Sequence, residues 1–177
     1  MKLELKNIKH TAWASQETHC YQASLYVNGK PIAVVSNDGC GGADRVKIHG
    51  NFSLSSHDFV TYREILSDVE AYFKSLPPSP FSYEGADGVM IHDSLPQTLE
   101  GWCCDAVNDW LSARELKKKL KSHVLFQFKY KDGIYQSKYH PTVTKGEWVI
   151  NKQSGETRRI LNDMPFEDAL AIWKETA

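Results

Sequence analysis

The chain has 177 residues, of which 41% are hydrophobic and 24% charged, so it is long enough for one domain with a buried core. This composition excludes an intrinsically disordered chain and a coiled coil. The N-terminus has no apolar signal-peptide core, and no stretch approaches the roughly 18 apolar residues of a membrane span. We therefore expect a soluble, cytoplasmic protein with no membrane partner.

The net charge of −1 conceals an uneven distribution of charge along the chain. Residues 1–112 carry eight Lys or Arg and 14 Asp or Glu, whereas residues 113–160 carry 12 Lys or Arg and four acidic residues. A basic segment inside an acidic surround can orient a protein against a charged partner. The segment 113–160 is therefore the most informative functional signal in the sequence.

The first predicted element is a β-hairpin over residues 21–36. It turns at Asn28-Gly29, a pair that suits a two-residue type I′ turn because both positions need a positive φ. Strands that pair outward from this turn place alternate residues on the core face. The residues predicted for that face are Tyr21, Ala23, Leu25, Val27, Ile32 and Val34.

A helix is predicted next, because apolar residues from Phe59 to Leu76 recur at spacings of three and four. Ser55 is the predicted N-cap, with Leu54 as a hydrophobic staple, and Pro77-Pro78 ends the helix. Residues 77–96 are rich in Pro, Gly and Ser, and we interpret them as a long connection with a short strand at 89–91.

A second helix is predicted from Gln97, and its basic end suits a helix C-terminus. Its predicted inward residues are Leu99, Cys103, Ala106, Val107, Trp110 and Leu111. Strands then return in a hairpin over 124–140 that turns at Asp132-Gly133. Pairing outward from this turn matches Tyr130 with Tyr135 and Phe126 with Tyr139, so that the aromatic residues face inward and the lysines outward.

A further hairpin over 146–161 carries Lys152, Arg158 and Arg159, and a short helix from about Pro165 buries Phe166, Leu170 and Trp173. Strands, two helices, strands and a final helix follow one another in that order. This order predicts a single α+β domain over 1–177, with antiparallel β-hairpins packed against two main helices and a short C-terminal helix.

The Gly-rich stretch 37–45 has several interpretations. It lacks both nucleotide fingerprints, and its flanking acidic residues repel phosphate. Neither a calcium loop nor a zinc site has the required spacing, and a Cys40 nucleophile has no base singled out for it. The simplest interpretation is a bend with Asx-type turns at Asn37 and Asp38; the alternative is a ligand or partner loop. The residues of that candidate ligand loop are Asp38, Gly39, Gly41, Gly42 and Asp44.

The sequence contains no recognised catalytic set, and His-acid neighbours such as His92-Asp93 are typical of ordinary surface residues. The four cysteines have neither disulfide nor metal-ligand spacing, which predicts free thiols. We therefore expect a protein without a catalytic residue, a metal or a cofactor. A small-ligand protein or enzyme built on the loop 37–45, with His19, Cys20 and His49 nearby, remains the alternative.

The basic segment permits three interpretations: a solvated face, a nucleic-acid-binding face, or a face that docks on an acidic protein or ribonucleoprotein. Because the aromatic residues are assigned to the core, base stacking is not evident. The predicted partner-binding residues are Lys129, Lys131, Lys138, Lys152, Arg158 and Arg159.

Residues 17–42, with the sequence ETHCYQASLYVNGKPIAVVSNDGCGG, resemble the opening of small proteins found in phage and prophage gene sets. The resemblance covers about the first 50 residues and brings no catalytic motif. It implies an accessory protein of phage origin, a class that includes inhibitors of host defences such as anti-CRISPR proteins. The first hypothesis is therefore a non-enzymatic inhibitor or adaptor that masks a partner through its basic strands, and nucleic-acid binding by the same face is the second.

Overall fold

The computed structural model describes residues 1–50, 56–129, 131–138 and 157–176. The chain has an α+β fold, as predicted, and divides into two compact units, Met1–Val107 and Asn108–Ala177. In the described ranges the strands are antiparallel and form three separate sheets.

The first unit is built on a four-stranded sheet in the order β1-β2-β3-β4. Its strands are β1 (Leu3–His10), β2 (Tyr21–Val27), β3 (Lys30–Asn37) and β4 (Arg45–Ile48). The hairpin of β2 and β3 is confirmed, since Val27 pairs with Lys30 and both Asn28 and Gly29 have positive φ, 49° and 84°. Neither β1 nor β4 was predicted from the sequence.

One predicted core residue of this hairpin is wrong, because a β-bulge at Ile32 shifts the register. Leu25 pairs with Ala33, whereas Tyr26 pairs with Pro31, so one extra residue lies on β3. After the bulge every side chain of β3 changes face. Ala33 and Val35 are therefore buried, and Val34 pairs with Ser24 on the other face.

Two helices complete the core of the first unit. α1 (His57–Ser75) begins at the N-cap Ser56, whose hydroxyl accepts a hydrogen bond from Phe59 N at 3.3 Å. The predicted cap, Ser55, and the staple Leu54 lie outside the described residues. α2 (Leu99–Ser122) contributes its first nine residues, up to Val107, to this unit. The most buried core side chains are Leu25, Ile32, Val35, Val69, Cys103 and Val107.

Residues 77–96 form a hairpin where the sequence analysis predicted a long connection. β5 (Ser79–Glu84) pairs with β6 (Met90–Leu95), and both strands are exposed throughout. The predicted short strand at 89–91 coincides with the start of β6. Pro80, Ser82 and Ser94 lie within these strands and Gly85 and Gly88 in the turn, and this composition concealed the strands.

In the second unit, β7 (His123–Phe128) is the central strand, between β8 (Tyr135–Lys138) and β9 (Thr157–Ile160). The predicted register of its hairpin is wrong: Phe126 pairs with Tyr135 and not with Tyr139. A type I′ turn needs a positive φ at both central residues, and at this site only Gly133 has one. Tyr130, Tyr139 and the predicted strand before β9 lie outside the described residues.

The sheet of the second unit is buried on both faces at β7. Val124 and Phe126 pack with Phe128, Tyr135 and Ile160 on one face. The neighbouring Leu125, which points to the opposite face, packs with the helices. The sequence predicted that this face of the hairpin carries outward-pointing lysines. That prediction is wrong near Leu125, where the face is packed against the helices. Its cluster comprises Leu116, Leu125, Leu161, Ala169 and Ile172.

The final helix, α3 (Phe166–Thr176), begins one residue after Pro165 as expected. Its buried residues are Ala169 and Ile172, whereas the predicted Phe166, Leu170 and Trp173 are only partly buried around them. The buried side of α3 is thus centred on Ala169 and Ile172, and the three predicted residues lie at its margins. Small Ala169 allows the helix to approach its neighbours closely.

Candidate functional site

The Gly-rich loop 37–45 is organised by the buried side chain of Asn37, which is 8% exposed. Its Oδ1 accepts hydrogen bonds from Gly39 N and Thr18 Oγ1, both at 2.8 Å. Its Nδ2 donates to Gly42 O at 2.8 Å and to Asp44 Oδ1 at 3.0 Å. The Asx-type turn predicted for Asn37 is therefore present, and the amide holds both ends of the loop together.

Gly39 joins this loop to the segment before β2. Its carbonyl oxygen accepts hydrogen bonds from the backbone N–H groups of Gln16, Glu17 and Thr18 at 2.9–3.3 Å. Its φ is +88°, and a Cβ at this position would lie 2.1 Å from the carbonyl oxygen of Ala14. Both the backbone conformation and the close approach require glycine here.

The remaining residues of the candidate ligand loop also have partners inside the loop or beside it. Asp38 forms an ion pair with Arg45 at 2.6 Å and accepts a bond from Cys40 N at 3.4 Å. Gly41 N donates to Thr18 Oγ1 at 3.3 Å. These contacts favour the structural interpretation of the loop over a ligand-binding one.

Asp44 links the loop to the helical side of the core. Its Oδ2 accepts a hydrogen bond from the Tyr21 hydroxyl at 2.5 Å, and its backbone N–H donates to Glu100 at 3.1 Å. Burial, followed by the negative charge of Asp44, raises the pKa of the neighbouring Cys103 thiol to about 12. Burial and the bond to Asp44 raise the pKa of Tyr21 as well. Cys103 is therefore a protonated, unreactive thiol at neutral pH.

A pocket of about 230 Å³ lies beside this network in the first unit. Its polar lining is dominated by the carboxylates of Asp44, Glu70 and Glu100, with Thr98 and Cys103 alongside. Negative lining repels phosphate, so the pocket does not suit a nucleotide. Each carboxylate oxygen of Asp44 already accepts one internal hydrogen bond, so a ligand would share this residue with Tyr21 and Asn37.

The described part of the chain contains no group of three or more His, Cys, Asp or Glu side chains that could hold a metal ion. His19 instead contacts the ring of His10, with ring centroids 5.3 Å apart. His10 Nε2 lies 3.2 Å from Ser15 Oγ, which donates to Thr11 O and accepts from Cys20 N. This cluster ties the turn after β1 to the start of β2.

The second unit carries a basic surface on α2 and on the β7–β8 hairpin. Residues 114–138 contain eight Lys or Arg and only Glu115 and Asp132 as acidic residues. Within the described ranges, no carboxylate lies within ion-pair distance of the exposed cations of this surface. We call these seven residues the basic surface: Arg114, Lys117, Lys118, Lys121, Lys129, Lys131 and Lys138.

The helical part of the basic surface follows from the spacing of its residues. Four of its residues recur at three- and four-residue intervals, which places them on one side of α2: Arg114, Lys117, Lys118 and Lys121. Lys117 Nζ lies 4.8 Å from the centroid of the Phe166 ring, and the Arg114 guanidinium lies 5.3 Å from that of Trp110. Aromatic contacts hold these two side chains without neutralising their charge.

The hairpin part of the surface continues directly from α2. Lys138 pairs with His123, the residue that follows the last turn of α2. Lys119, half-buried, donates from Nζ to Gln136 Oε1 at 2.8 Å and so fixes the helix against β8. The end of α2 and the strand that carries Lys138 are therefore held side by side.

The predicted partner-binding residues fall into two groups. Lys129, Lys131 and Lys138 are exposed and belong to the basic surface. Arg159 is half-buried in β9, whereas Lys152 and the side chain of Arg158 lie outside the described residues. The four basic residues of α2 were not among the predicted partner-binding residues, although their helical spacing is visible in the sequence.

Comparison of the chain with protein-family models, with curated proteins and with solved structures found no match. Across the described ranges, neither long helix is apolar enough to cross a membrane. The candidate site therefore has to be interpreted from its own geometry and charge.

Proposed function

We propose that this chain is a non-enzymatic binding protein that masks an acidic surface of a protein or ribonucleoprotein partner through its basic surface. The observation that carries the proposal is a set of exposed cations on two adjoining elements with no carboxylate partner in the described ranges. Unpaired surface charge of one sign steers association with a partner of opposite sign. Lysines at the end of a helix also stabilise its dipole, but that role does not involve Lys129, Lys131 or Lys138.

The resemblance of residues 17–42 to phage accessory proteins supports an inhibitor of a host-defence complex as the biological form of this function. Such an inhibitor acts by occupying a surface, and it needs no catalytic group of its own. The polar groups of the Gly-rich loop are engaged in internal bonds, which is consistent with a scaffold role for that loop.

A protein partner is favoured over single-stranded nucleic acid because the aromatic residues of the sheet contact one another. Phe126, Phe128 and Tyr135 form a cluster with ring centroids 4.7–6.2 Å apart. Proteins that bind single strands stack bases on exposed aromatic rings beside a basic groove. Of the rings beside this basic surface, Phe126 is buried, and Phe128 and Tyr135 are partly buried against it.

The test is a capture experiment with matched charge-reversal variants. One variant carries Lys118→Glu, Lys121→Glu, Lys129→Glu and Lys138→Glu on the basic surface. The control carries the same number of reversals on exposed residues of the first unit: Lys30→Glu, Lys47→Glu, Arg63→Glu and Lys74→Glu. Both variants have the same net charge, so that a difference between them reports the location of the charge. The immobilised proteins are incubated with host lysate, with and without nuclease, and the bound proteins are quantified by mass spectrometry.

We expect a protein captured by the wild type and by the control to be lost, by about tenfold or more, with the basic-surface variant. Equal loss in both variants would show that only net charge matters and would overturn the proposal. Capture that disappears after nuclease treatment and weakens steeply with salt would assign the surface to nucleic acid instead, because each phosphate contact releases counterions.

A further inference from the structure

The hairpin of β5 and β6 in the first unit is solvent-exposed along its whole length. Every residue of both strands is exposed, unlike those of the four-stranded sheet in the same unit. Ten large hydrophobic side chains are exposed in the described ranges, and six of them lie in this hairpin. They are Phe81, Tyr83, Val89, Met90, Ile91 and Leu95, each 36–58% exposed.

These apolar residues are concentrated on one face of the hairpin. Tyr83 pairs with Ile91, and the Phe81 and Tyr83 rings stack with centroids 5.7 Å apart. Because side chains alternate along a strand, Phe81, Tyr83, Ile91 and Leu95 share this face. Ser82 and Glu84 lie on the opposite face, which is polar apart from Pro80 and Met90. The hairpin is thus an amphipathic sheet whose apolar face is exposed to solvent.

The outer edges of the hairpin offer free strand-pairing positions. Gly85 N donates to Val89 O at 2.8 Å, which makes this pair hydrogen-bonded. Hydrogen-bonded and non-bonded pairs alternate in an antiparallel ladder, so the backbone groups of Ser82 and His92 point away from the partner strand. No described strand pairs with either outer edge. A two-stranded sheet is marginally stable alone, and an open edge accepts an added strand.

The charge of the hairpin indicates which kind of strand it accepts. Glu84, Asp87 and Asp93 are exposed, and no Lys or Arg occurs between residues 75 and 113. Asp93 lies on the apolar face, directly opposite Phe81. None of the three carboxylates forms an ion pair with a described residue. A second copy of the hairpin would bring the same three negative charges together, so self-pairing is electrostatically unfavourable.

We propose that this hairpin binds an extended segment of a partner protein in which apolar residues alternate with Lys or Arg. The segment adds to one outer edge as a third antiparallel or parallel strand. Its apolar side chains extend the face of Tyr83 and Ile91, and its basic side chains lie on the face of Glu84. This site has the opposite charge preference to the basic surface of the second unit, so the two sites bind different chemistry.

The test uses two synthetic ten-residue peptides as probes. One alternates Val with Lys and the other alternates Val with Glu, and binding of the fluorescently labelled peptides to the full chain is followed by anisotropy. We expect saturable binding of the Lys peptide, at least about tenfold tighter than that of the Glu peptide, because like charges repel. Equal affinities, or no saturable binding of the Lys peptide, would overturn the proposal.

Variants then locate the peptide on the hairpin. Tyr83→Thr with Ile91→Thr keeps strand propensity and removes the apolar face, so affinity for the Lys peptide should fall about tenfold or more. The matched control, Trp13→Thr with Val46→Thr, removes two exposed apolar side chains outside the hairpin and should bind within about twofold of the wild type. Equal affinities of the two double variants would contradict binding on the apolar face.

Proline substitutions test strand addition itself. Ser82→Pro and His92→Pro each remove one outward-pointing N–H group but no backbone hydrogen bond between β5 and β6. The side-chain contact between Ser82 Oγ and His92 Nδ1, at 2.7 Å, is lost in these variants and equally in the alanine controls. Proline at the edge used by the peptide should abolish binding, whereas Ser82→Ala and His92→Ala should retain it. Wild-type affinity in both proline variants would overturn strand addition, and circular dichroism checks that each variant is folded.

Sedimentation tests whether the hairpin instead binds a second copy of the chain. If the wild type forms a concentration-dependent dimer and Tyr83→Thr with Ile91→Thr is monomeric, the apolar face binds a second copy and the proposal is overturned.

Discussion

The hydroxyl of Tyr21, on the second strand, donates a 2.5 Å hydrogen bond to Asp44 at the end of the Gly-rich loop. Tyr21 is 5% exposed, and its hydroxyl also interacts with the buried thiol of Cys103. This single contact connects the sheet, the loop and α2. The loop that carries the most conspicuous motif of the sequence is therefore anchored to the core of its unit.

We predict that Tyr21→Phe destabilises the protein by about 1–3 kcal/mol, because Asp44 and Cys103 lose a partner in a largely buried site. The measurement is the free energy of unfolding from urea denaturation. Tyr26→Phe is the matched control, since the Tyr26 ring is half-exposed and contacts Lys6 Nζ at 4.5 Å through its face. A loss no greater than that of the control would contradict the role of the hydroxyl.

We also predict that stability falls at alkaline pH. The pKa of Cys103 is raised in the folded state from 9.0 to about 12, and that of Tyr21 is raised above 10.0. Above pH 9 the unfolded state therefore binds fewer protons than the folded state, so the free energy of unfolding falls as pH rises. The free energy of unfolding, measured by chemical denaturation above pH 9, should fall less steeply with pH in Tyr21→Phe than in the wild type. Equal slopes in the two proteins would contradict the linkage between proton binding and stability.

The four thiols should react at very different rates. Cys40 and Cys104 are exposed, Cys20 is half-buried and Cys103 is buried. A pKa near 12 in place of 9.0 lowers the thiolate fraction of Cys103 about a thousandfold, and burial slows its reaction further. Iodoacetamide labelling at neutral pH, followed by peptide mass spectrometry, should modify Cys40 and Cys104 first. Labelling of Cys103 at the rate of Cys40 would show that the thiol is accessible and its pKa ordinary.

Gly39 and Gly42 provide a matched pair within one loop. Gly39→Ala places a Cβ against the Ala14 carbonyl at a positive φ, and we predict a loss of about 1–3 kcal/mol or more. Gly42 has no atom within 4 Å of an added Cβ, so Gly42→Ala should stay within about 0.5 kcal/mol of the wild type. Urea denaturation midpoints measure both, and similar midpoints would show that the loop relaxes around the added methyl group.

Asn162 should contribute to the stability of the second unit through its side-chain hydrogen bonds. Its Oδ1 accepts from Leu125 N at 2.7 Å, and its Nδ2 donates to His123 O at 2.9 Å and Leu120 O at 3.3 Å. Asn162→Ala removes these three hydrogen bonds from a part-buried site, and we predict a loss of about 1–3 kcal/mol. Hydrogen exchange of the Leu125 amide should accelerate, whereas it should be unchanged in the exposed control Glu175→Ala. An unchanged exchange rate in Asn162→Ala would contradict this assignment.

The two Gly-containing turns show where sequence reasoning succeeds and where it does not. Asn28-Gly29 forms the predicted turn because both residues adopt positive φ. Asp132-Gly133 has the same local signal, but Phe126 pairs with Tyr135, four residues short of the predicted partner. β7 is paired on both edges and packed on both faces, and these contacts outweigh the preference of a dipeptide.

The α+β class, the helical stripe from Phe59 to Leu76 and the first hairpin were determined by the sequence alone, because hydrophobic periodicity and turn chemistry act locally. The tertiary structure decided the bulge at Ile32, the strands within 77–96 and the internal bonds of the Gly-rich loop. It also combined the basic residues of α2 with those of the β7–β8 hairpin. The basic surface depends on packing between elements that are distant in the chain. The bulge, the β5–β6 hairpin and the loop bonds are closer in sequence, but they depend on specific pairing that hydrophobic periodicity does not specify.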